Sequence, residues 1–393
     1  MLNVILFMSL LVCSFSASAC DNFQQCLLRL EETALKAGIS KKTINEGLKT
    51  AQFLPKVIST DRHQPEFNET FYQYLQHAVS DKRIAKAVSM MKSYELLLNQ
   101  LKKRYGIPPH ILTAIFGLES NFGSNIGKTN ILNALTTLSC DNRRSLFFTK
   151  ELISALKLMD MYGFSKESMV GSWAGAIGYT QFMPSNYLGY ALSSDNRSPP
   201  DLWRKISDAL ASTANYLNKK GWKSGWIWGK EITLPKSFDY RMTGLKSSKK
   251  LNIWQKLGVR NADNSNMPEY DISGSVLVPG GHHNPAFIVY DNFHVLLRWN
   301  RSIFYAIAVG YLADRINGKP PFKKAIQNDP PLSVVQIQLL QKKLNALGYA
   351  CGKEDGMLGT ETQQGITTFQ YANHMIADGF PRVAVLKSLG ISR

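Results

Sequence analysis

Between about Phe23 and Tyr216 apolar residues return every three or four positions, stretch after stretch, with short polar loops between them. That spacing is the repeat of one helix face, so this half of the chain is expected to bury its apolar surface as packed amphipathic helices, with Arg83 to Lys102 and Phe147 to Met161 as examples. From about Trp226 to Val289 the apolar runs shorten and Gly, Pro, Asn and Ser become frequent. Pieces such as Ile232-Thr-Leu234 and Gly274-Ser-Val-Leu-Val278 suit short strands or extended loops. Helical spacing returns at Ile303 to Asp314. The segments Asn317 to Lys324 and Gln327 to Pro331 have linker composition, which puts a boundary near residue 325. A small helical module follows, with Val335, Leu339, Leu340 and Leu344 assigned to one face. The expected class is mainly α.

One acidic residue stands out against this pattern. In the stretch Ile111 to Gly123, Leu112, Ile115, Phe116 and Glu119 fall at i, i+3, i+4 and i+7, which turns the carboxylate toward the core side of a helix. Pro108 and Pro109 supply a start, and Asn121 and Gly123 a stop, so Glu119 belongs in the last turn. Desolvation there would keep a carboxyl group protonated and able to give its proton to a leaving group. A solvated glutamate at a frayed helix end has the same pattern, and the pattern alone favours that reading. A second stretch, Gly171 to Ser185, is rich in Gly, Ala and Ser and contains Gln181. Its small residues allow close backbone approach, and the amide can donate and accept hydrogen bonds, a combination suited to a sugar N-acetyl group. Tight helix packing followed by a turn at Pro184 explains the same composition.

The net charge of +17 implies an acidic partner: nucleic acid, an anionic membrane or an anionic wall polymer. An apolar run from Val4 to Phe15 followed by Ala17-Ser-Ala19 before Cys20 reads as an export signal over residues 1–19, although its first residues carry no Lys or Arg. It fits cleavage after Ala19 or lipidation of Cys20. With simple cleavage, a Cys20–Cys26 bridge becomes available, whereas Cys140 and Cys351 read as ordinary buried cysteines. Gly123 to Thr129 is one residue short of a phosphate-binding loop and follows a helical pattern. His282-His283 has neighbouring side chains that diverge on most backbones and lacks metal-ligand spacing.

Several motifs then fall in one order: Glu119-Ser120 with Phe122-Gly123; Ser172 to Ser185; Asp201-Leu-Trp203 with Ala214 to Leu217 and Gly221-Trp222; and Asn292-Phe293 with Asn300-Arg-Ser302 and Tyr305. In this order the chain, from about Cys20 to Gly318, resembles bacterial lytic murein transglycosylases of the membrane-bound B type. Leu340 to Tyr349, Asp355 to Thr360, Gly365 to Gln370 and Asp378-Gly379 resemble a small three-helix peptidoglycan-binding module. The resemblance implies a lysozyme-like α+β catalytic domain over residues 20–325 and a peptidoglycan-binding domain over 326–393. It implies peptidoglycan glycan strands as the partner instead of nucleic acid, a periplasmic wall-associated location, and no cofactor; the residues themselves suggest no metal site.

By the same resemblance Glu119 is the sole acid and base. It cleaves the bond between N-acetylmuramic acid and N-acetylglucosamine and leaves a 1,6-anhydro end. The substrate contacts map onto Tyr74, Ser172, Gln181, Tyr216, Asn300 and Tyr305, with Trp299 where relatives often have Tyr. Some relatives carry an acidic calcium loop before the Leu-Trp pair. Here Ser193 to Asp201 has Arg197 and two prolines among the would-be ligands, so no calcium site is expected. A hydrolytic muramidase and a non-catalytic wall-binding scaffold are the competing readings.

Overall fold

A computed structural model describes residues 22–62, 69–195 and 199–392. The expected export signal over residues 1–19, Cys20 and Arg197 lie outside the described residues. Contacts divide the chain into two compact units: one holds residues 22–62 with Ile115–Tyr216, the other residues 69–114 with 217–392. The Pro109–Ser120 and Ile206–Lys219 helices each begin in one unit and end in the other.

The first unit is built on the Ile131–Ser139 helix, every residue of which is buried. Asn130 starts that helix by accepting the Asn133 N–H at 3.1 Å, a side-chain cap for an otherwise orphaned donor. The Ser145–Tyr162 helix packs along it, burying Phe148, Leu152, Ala155 and Leu156. Strands β1 (Thr129–Asn130) and β2 (Val170–Gly171) form a short antiparallel ladder, with Thr129 opposite Gly171. Cys26, on the helix over 22–36, bonds to Cys140, just beyond Ser139. This replaces the Cys20–Cys26 bridge that simple cleavage would have allowed, and it corrects the reading of Cys140 as an ordinary buried cysteine. The partners are 114 residues apart in the chain, yet helix packing sets their Cα atoms 5.8 Å apart, within the bonding range. Cys351 is buried and free, as expected.

In the second unit the Arg83–Lys102 run is two helices, Asp81–Ser93 and Glu95–Tyr105, broken where Tyr94 leaves helical geometry (φ −110°, ψ 22°). Strands β3 (Gly229–Thr233), β4 (Ser248–Lys250), β5 (Arg260–Asn261), β6 (Ser273–Leu277) and β7 (Ala286–Val289) form an antiparallel sheet in the order β4-β6-β7-β3-β5. Ile232, Val276, Ile288 and Trp254 make its core, in the region where the sequence shortens into strand-like runs. The Asp291–Trp299 and Ile303–Ile316 helices follow.

The C-terminal module has helices Val334–Ala346, Thr360–Ala372 and Val383–Ser388 around Leu340, Leu344, Ile366 and Phe369. Its first helix buries Ile337, Leu340, Gln341 and Leu344, while Val335 is 71% and Leu339 38% exposed. The apolar face is therefore rotated from the expected one. Gln341 belongs inside because its amide nitrogen donates to Thr362 Oγ1 and Asp355 Oδ1 while its oxygen accepts from Gly356 N, so burying it leaves no unpaired polar group.

Candidate active site

The Pro109–Ser120 helix ends at the expected place, with Glu119 in its last turn. From Ile111 to Gly117 it is buried all round, so the stripe leading to Glu119 is not a unique inner face. The carboxylate is distinguished by its place at the point where the helix emerges: Leu118 and Glu119 are half-buried, between buried Gly117 and buried Ser120. The helix then stops abruptly. Asn121, Phe122 and Gly123 have left-handed backbone, with φ of 49°, 58° and 81°. A bulky residue in that region is strained by about 1–3 kcal/mol and persists only where its surroundings fix it. Here the Phe122 N–H reaches back to Phe116 O at 3.3 Å, and Ser120 Oγ accepts the Gly123 N–H at 2.9 Å. The Phe122 ring packs edge-on against Phe116, 5.7 Å between centroids. Gly117 makes room for it, since a Cβ there would lie 2.6 Å from the ring.

The chain leaving Glu119 is then brought against the second informative stretch. At Gly127 (φ 84°) a Cβ would fall 2.0 Å from Gly171 O, so only glycine lets the β1 approach run this close to β2. Ser172 directly follows β2. Its N–H donates to Ala176 O at 2.9 Å and its Oγ accepts the Ala176 N–H at 3.0 Å, closing a tight loop. Ile177 and Phe182 pair across the next turn, and Gln181 between them is left-handed (φ 52°). Gln181 Nε2 donates to Gly178 O at 2.8 Å and to Ile126 O at 3.3 Å, tying this turn to the segment after Glu119. The stretch is thus a folded backbone wall and not packed helix. Within this unit the fold gathers Glu119's helix end, Ser172 and Gln181 through adjoining backbone segments. Tyr216 lies in the same unit but is 2% exposed, its ring enclosed by Phe182 and Tyr190.

The other expected contacts lie in the second unit. Tyr74, half-buried, packs on Phe304 with centroids 5.8 Å apart. Asn300 ends the Asp291–Trp299 helix, and its Oδ1 accepts the Ser302 N–H at 3.0 Å. Ser302 then caps the following helix by accepting the Tyr305 N–H at 3.2 Å. Asn300 therefore shapes a helix–helix corner while its Nδ2 stays outside that bond. Tyr305 is 5% exposed, so neither it nor Tyr216 presents a ring face for stacking on a sugar.

Sequence reasoning missed Glu151. It sits in the Ser145–Tyr162 helix with 3% exposure, and its carboxylate accepts the Ser185 N–H at 2.9 Å and the Ser185 hydroxyl at 2.7 Å. It thereby fixes the start of the Pro184–Tyr190 helix, just beyond Gln181. Its signal was available: Phe148, Glu151, Leu152 and Ala155 repeat the spacing that singled out Glu119. Asp208, 1% exposed, similarly accepts from Ser194 N, Ser194 Oγ and Asp201 N. In the stretch weighed as a calcium loop, Asp195 accepts from Lys205 Nζ at 2.5 Å, and Asp201 Oδ1 accepts the N–H groups of Trp203 and Arg204. Elsewhere, Gly123 to Thr129 follows a helix as expected. The His282 and His283 rings do not diverge, their centroids being 4.1 Å apart; His282 Nδ1 lies 2.5 Å from Asp378 Oδ2 in the module.

Comparison with known proteins matches residues 22–314 to the transglycosylase SLT domain and residues 333–389 to a peptidoglycan binding domain. The membrane-bound lytic murein transglycosylase B of Escherichia coli K12 is 30% identical over 304 residues, covering 73% of this chain and 81% of the relative. The crystal structure of SltB3 from Pseudomonas aeruginosa in complex with NAG-NAM-pentapeptide superposes with a TM-score of 0.87 at 37% identity, over 93% of this chain and 99% of that one. The Escherichia coli lytic transglycosylase SLT35, in complex with calcium, matches with a TM-score of 0.64 at 29% identity, over 75% of this chain and 92% of that one.

Proposed function

This chain belongs to the transglycosylase SLT domain family, and from that premise we propose how its residues divide the reaction. It is a peptidoglycan lytic transglycosylase with a C-terminal peptidoglycan-binding domain. Glu119 acts as acid and then as base. Its carboxyl proton passes to the glycosidic oxygen as the bond from C1 of N-acetylmuramic acid to N-acetylglucosamine breaks, with the muramoyl acetamido oxygen supporting the charge at C1. The resulting carboxylate removes the proton of the C6 hydroxyl, O6 closes on C1, and the 1,6-anhydro product leaves Glu119 protonated as at the start. No water is consumed.

The observation that carries this reading is the half-buried place of Glu119 where its helix emerges, on the segment tied through Ile126 to the Gln181 turn. A glycosidase that uses water or a covalent intermediate needs a second carboxylate beside the first. Glu151, Asp201 and Asp208, which border the Ser172–Ser185 wall and the loop after it, are all engaged by protein donors. We assign both steps to Glu119, the acidic residue in the last turn of the Pro109–Ser120 helix, where the chain runs on to the wall. Ser172 and Gln181 line the wall beside it. With Gln181 Nε2 held by two carbonyls, Oε1 is the atom assigned to accept from the sugar. Asn300 Nδ2 is the corresponding donor, Tyr74 borders a sugar subsite, and Tyr216 and Tyr305 act through their hydroxyls.

The Cys26–Cys140 bond supports an oxidising, exported location, and the net charge of +17 favours the anionic wall. No helix among the described residues is long and apolar enough to cross a membrane. Lipidation of Cys20 is the alternative to simple cleavage after Ala19, and palmitate incorporation into the native chain but not into Cys20→Ser would decide for it. Glu119→Gln should lower kcat on isolated sacculi by about 10²–10⁴ while leaving binding intact. Undiminished cleavage would refute the assignment.

A further inference from the structure

In the second unit, several segments meet at one surface loop, Gly221 to Ile227. Fully buried Asn292 directs its whole side chain at that loop: Oδ1 accepts the Lys223 N–H at 2.7 Å, and Nδ2 donates to Lys223 O at 3.0 Å and Trp226 O at 2.8 Å. The turn that ends the Glu95–Tyr105 helix is pressed against it, since a Cβ on Gly106 (φ 73°) would lie 2.7 Å from Ser224 Cβ. Asn218 Nδ2 ties the same turn to the end of the Ile206–Lys219 helix through Tyr105 O at 3.1 Å. Arg298, on the Asp291–Trp299 helix, donates to Lys220 O. The loop is thus firmly held, yet its tip leaves Trp226 39% and Ile227 45% exposed. Two adjacent large apolar side chains in water cost hydrophobic free energy, and a loose loop does not account for it here.

The charge around that tip is almost all of one sign. Arg104, Lys219, Lys223 and Arg298 are exposed and Lys220 is half-buried. Lys223 Nζ lies 5.5 Å from the centre of the Trp226 ring, so cation and indole form one patch. Segments 102–106, 217–228 and 291–299 contain one carboxylate, Asp291, and it is paired with Lys223. A tryptophan and an aliphatic residue at the tip of a held loop, bordered by Lys and Arg, match the surface of an anionic bilayer. The indole and the Ile227 side chain suit the boundary between headgroups and acyl chains, while the amines and guanidinium groups stay at the phosphates. A glycan strand can stack on the indole but gains nothing from Ile227 beside it.

We infer that the Gly221–Ile227 loop is a membrane-docking surface that takes anionic phospholipid. It calls on neither Glu119 nor an acyl chain at Cys20, and so goes beyond the transglycosylase reading. Its strength comes from the apolar area buried in the bilayer and from attraction between the basic side chains and lipid phosphates, which makes the contact reversible and sensitive to salt.

The parent for the test is the full chain carrying Cys20→Ser, which cannot be acylated at that position. It is sedimented with vesicles of about one part phosphatidylglycerol to three of phosphatidylcholine, and with phosphatidylcholine alone. Binding should be about tenfold or more stronger on the anionic vesicles and should weaken as salt is added. Trp226→Ser with Ile227→Ser should lower the partition coefficient on anionic vesicles by about tenfold. Arg104→Gln with Lys223→Gln should lower it by about twentyfold, a factor of about five for each charge near the surface. Both double variants should cleave isolated sacculi, which carry no bilayer, at the parent's rate, and that control separates loss of docking from loss of fold. A parent that does not bind anionic vesicles, or binding that either double variant keeps in full, overturns the inference. Loss of sacculus binding with vesicle binding retained would put a glycan on the loop and overturn it equally. A parent that leaves sacculi uncleaved would sink the transglycosylase reading, while the vesicle titration would still decide this one.

Discussion

Glu151 offers the sharpest test of how the site is held. Its buried carboxylate receives two hydrogen bonds from one residue, Ser185 N at 2.9 Å and Ser185 Oγ at 2.7 Å. Bonds to a charged group are worth about 1.5–3 kcal/mol each, so Glu151→Ala should destabilise the chain by about 3–5 kcal/mol, part of it from leaving the Ser185 N–H unpaired. Glu151→Gln keeps one acceptor, and the serine hydroxyl can turn to accept from the new amide, so its cost should be about 1–2 kcal/mol. Urea unfolding of both variants measures these costs, and a double-mutant cycle with Ser185→Ala should give a coupling of about 1–3 kcal/mol. Because Ser185 lies four residues beyond Gln181, a still-folded Glu151→Gln should also lose kcat, not merely binding. A Glu151→Ala variant less than about 1 kcal/mol below wild type would mean that neither bond contributes in solution and that Glu151 does not hold Ser185.

Three further variants test named contacts. Cys140→Ser opens the 114-residue link to Cys26 and should cost about 2–5 kcal/mol, read by the same denaturation, with a matching loss when native protein is reduced. His110 is held down to about 4 by burial, with Lys319 and Lys102 adding to it. Its unfolded form binds the proton more readily, so its contribution is complete above about pH 6.5 and is lost as pH falls toward 4; His110→Gln should flatten that part of the stability profile by up to about 3 kcal/mol. Gly127→Ala puts a Cβ 2.0 Å from Gly171 O at a φ of 84° and should cost more than about 1 kcal/mol. It should also lower kcat by displacing Ser172, measured on sacculi.

The helical half, the strand-rich insert and the module were legible because burial imposes a period on the sequence. What that period could not supply was the identity of a buried face where two faces are covered. The Pro109–Ser120 helix is enclosed from Ile111 to Gly117, so its apolar stripe carried less information about Glu119 than it first offered. Glu151 has the same spacing and serves to cap a helix. The ordered motifs downstream, not the stripe, separate the two glutamates. In the module, Gln341 displaces Val335 and Leu339 from the core because Thr362, Asp355 and Gly356 satisfy its amide, and such pairing is invisible in a hydrophobic pattern. The Cys26–Cys140 bond was missed because proximity over 114 residues is a product of helix packing. The halting of the helix at Asn121 and Gly123 was read from local chemistry, but the left-handed Phe122 between them was not. Its ring finds room only because Gly117 lacks a side chain.

One carboxylate, Glu119, is proposed to break the glycosidic bond and then close the sugar on itself without water. Digestion of sacculi in heavy-oxygen water, with mass spectrometry of the released muropeptides, tests it directly. The expected products are anhydro-muramoyl ends, lighter by one water than hydrolytic ends and free of heavy oxygen, which disappear with Glu119→Gln. Reducing muramoyl ends carrying the label would contradict it.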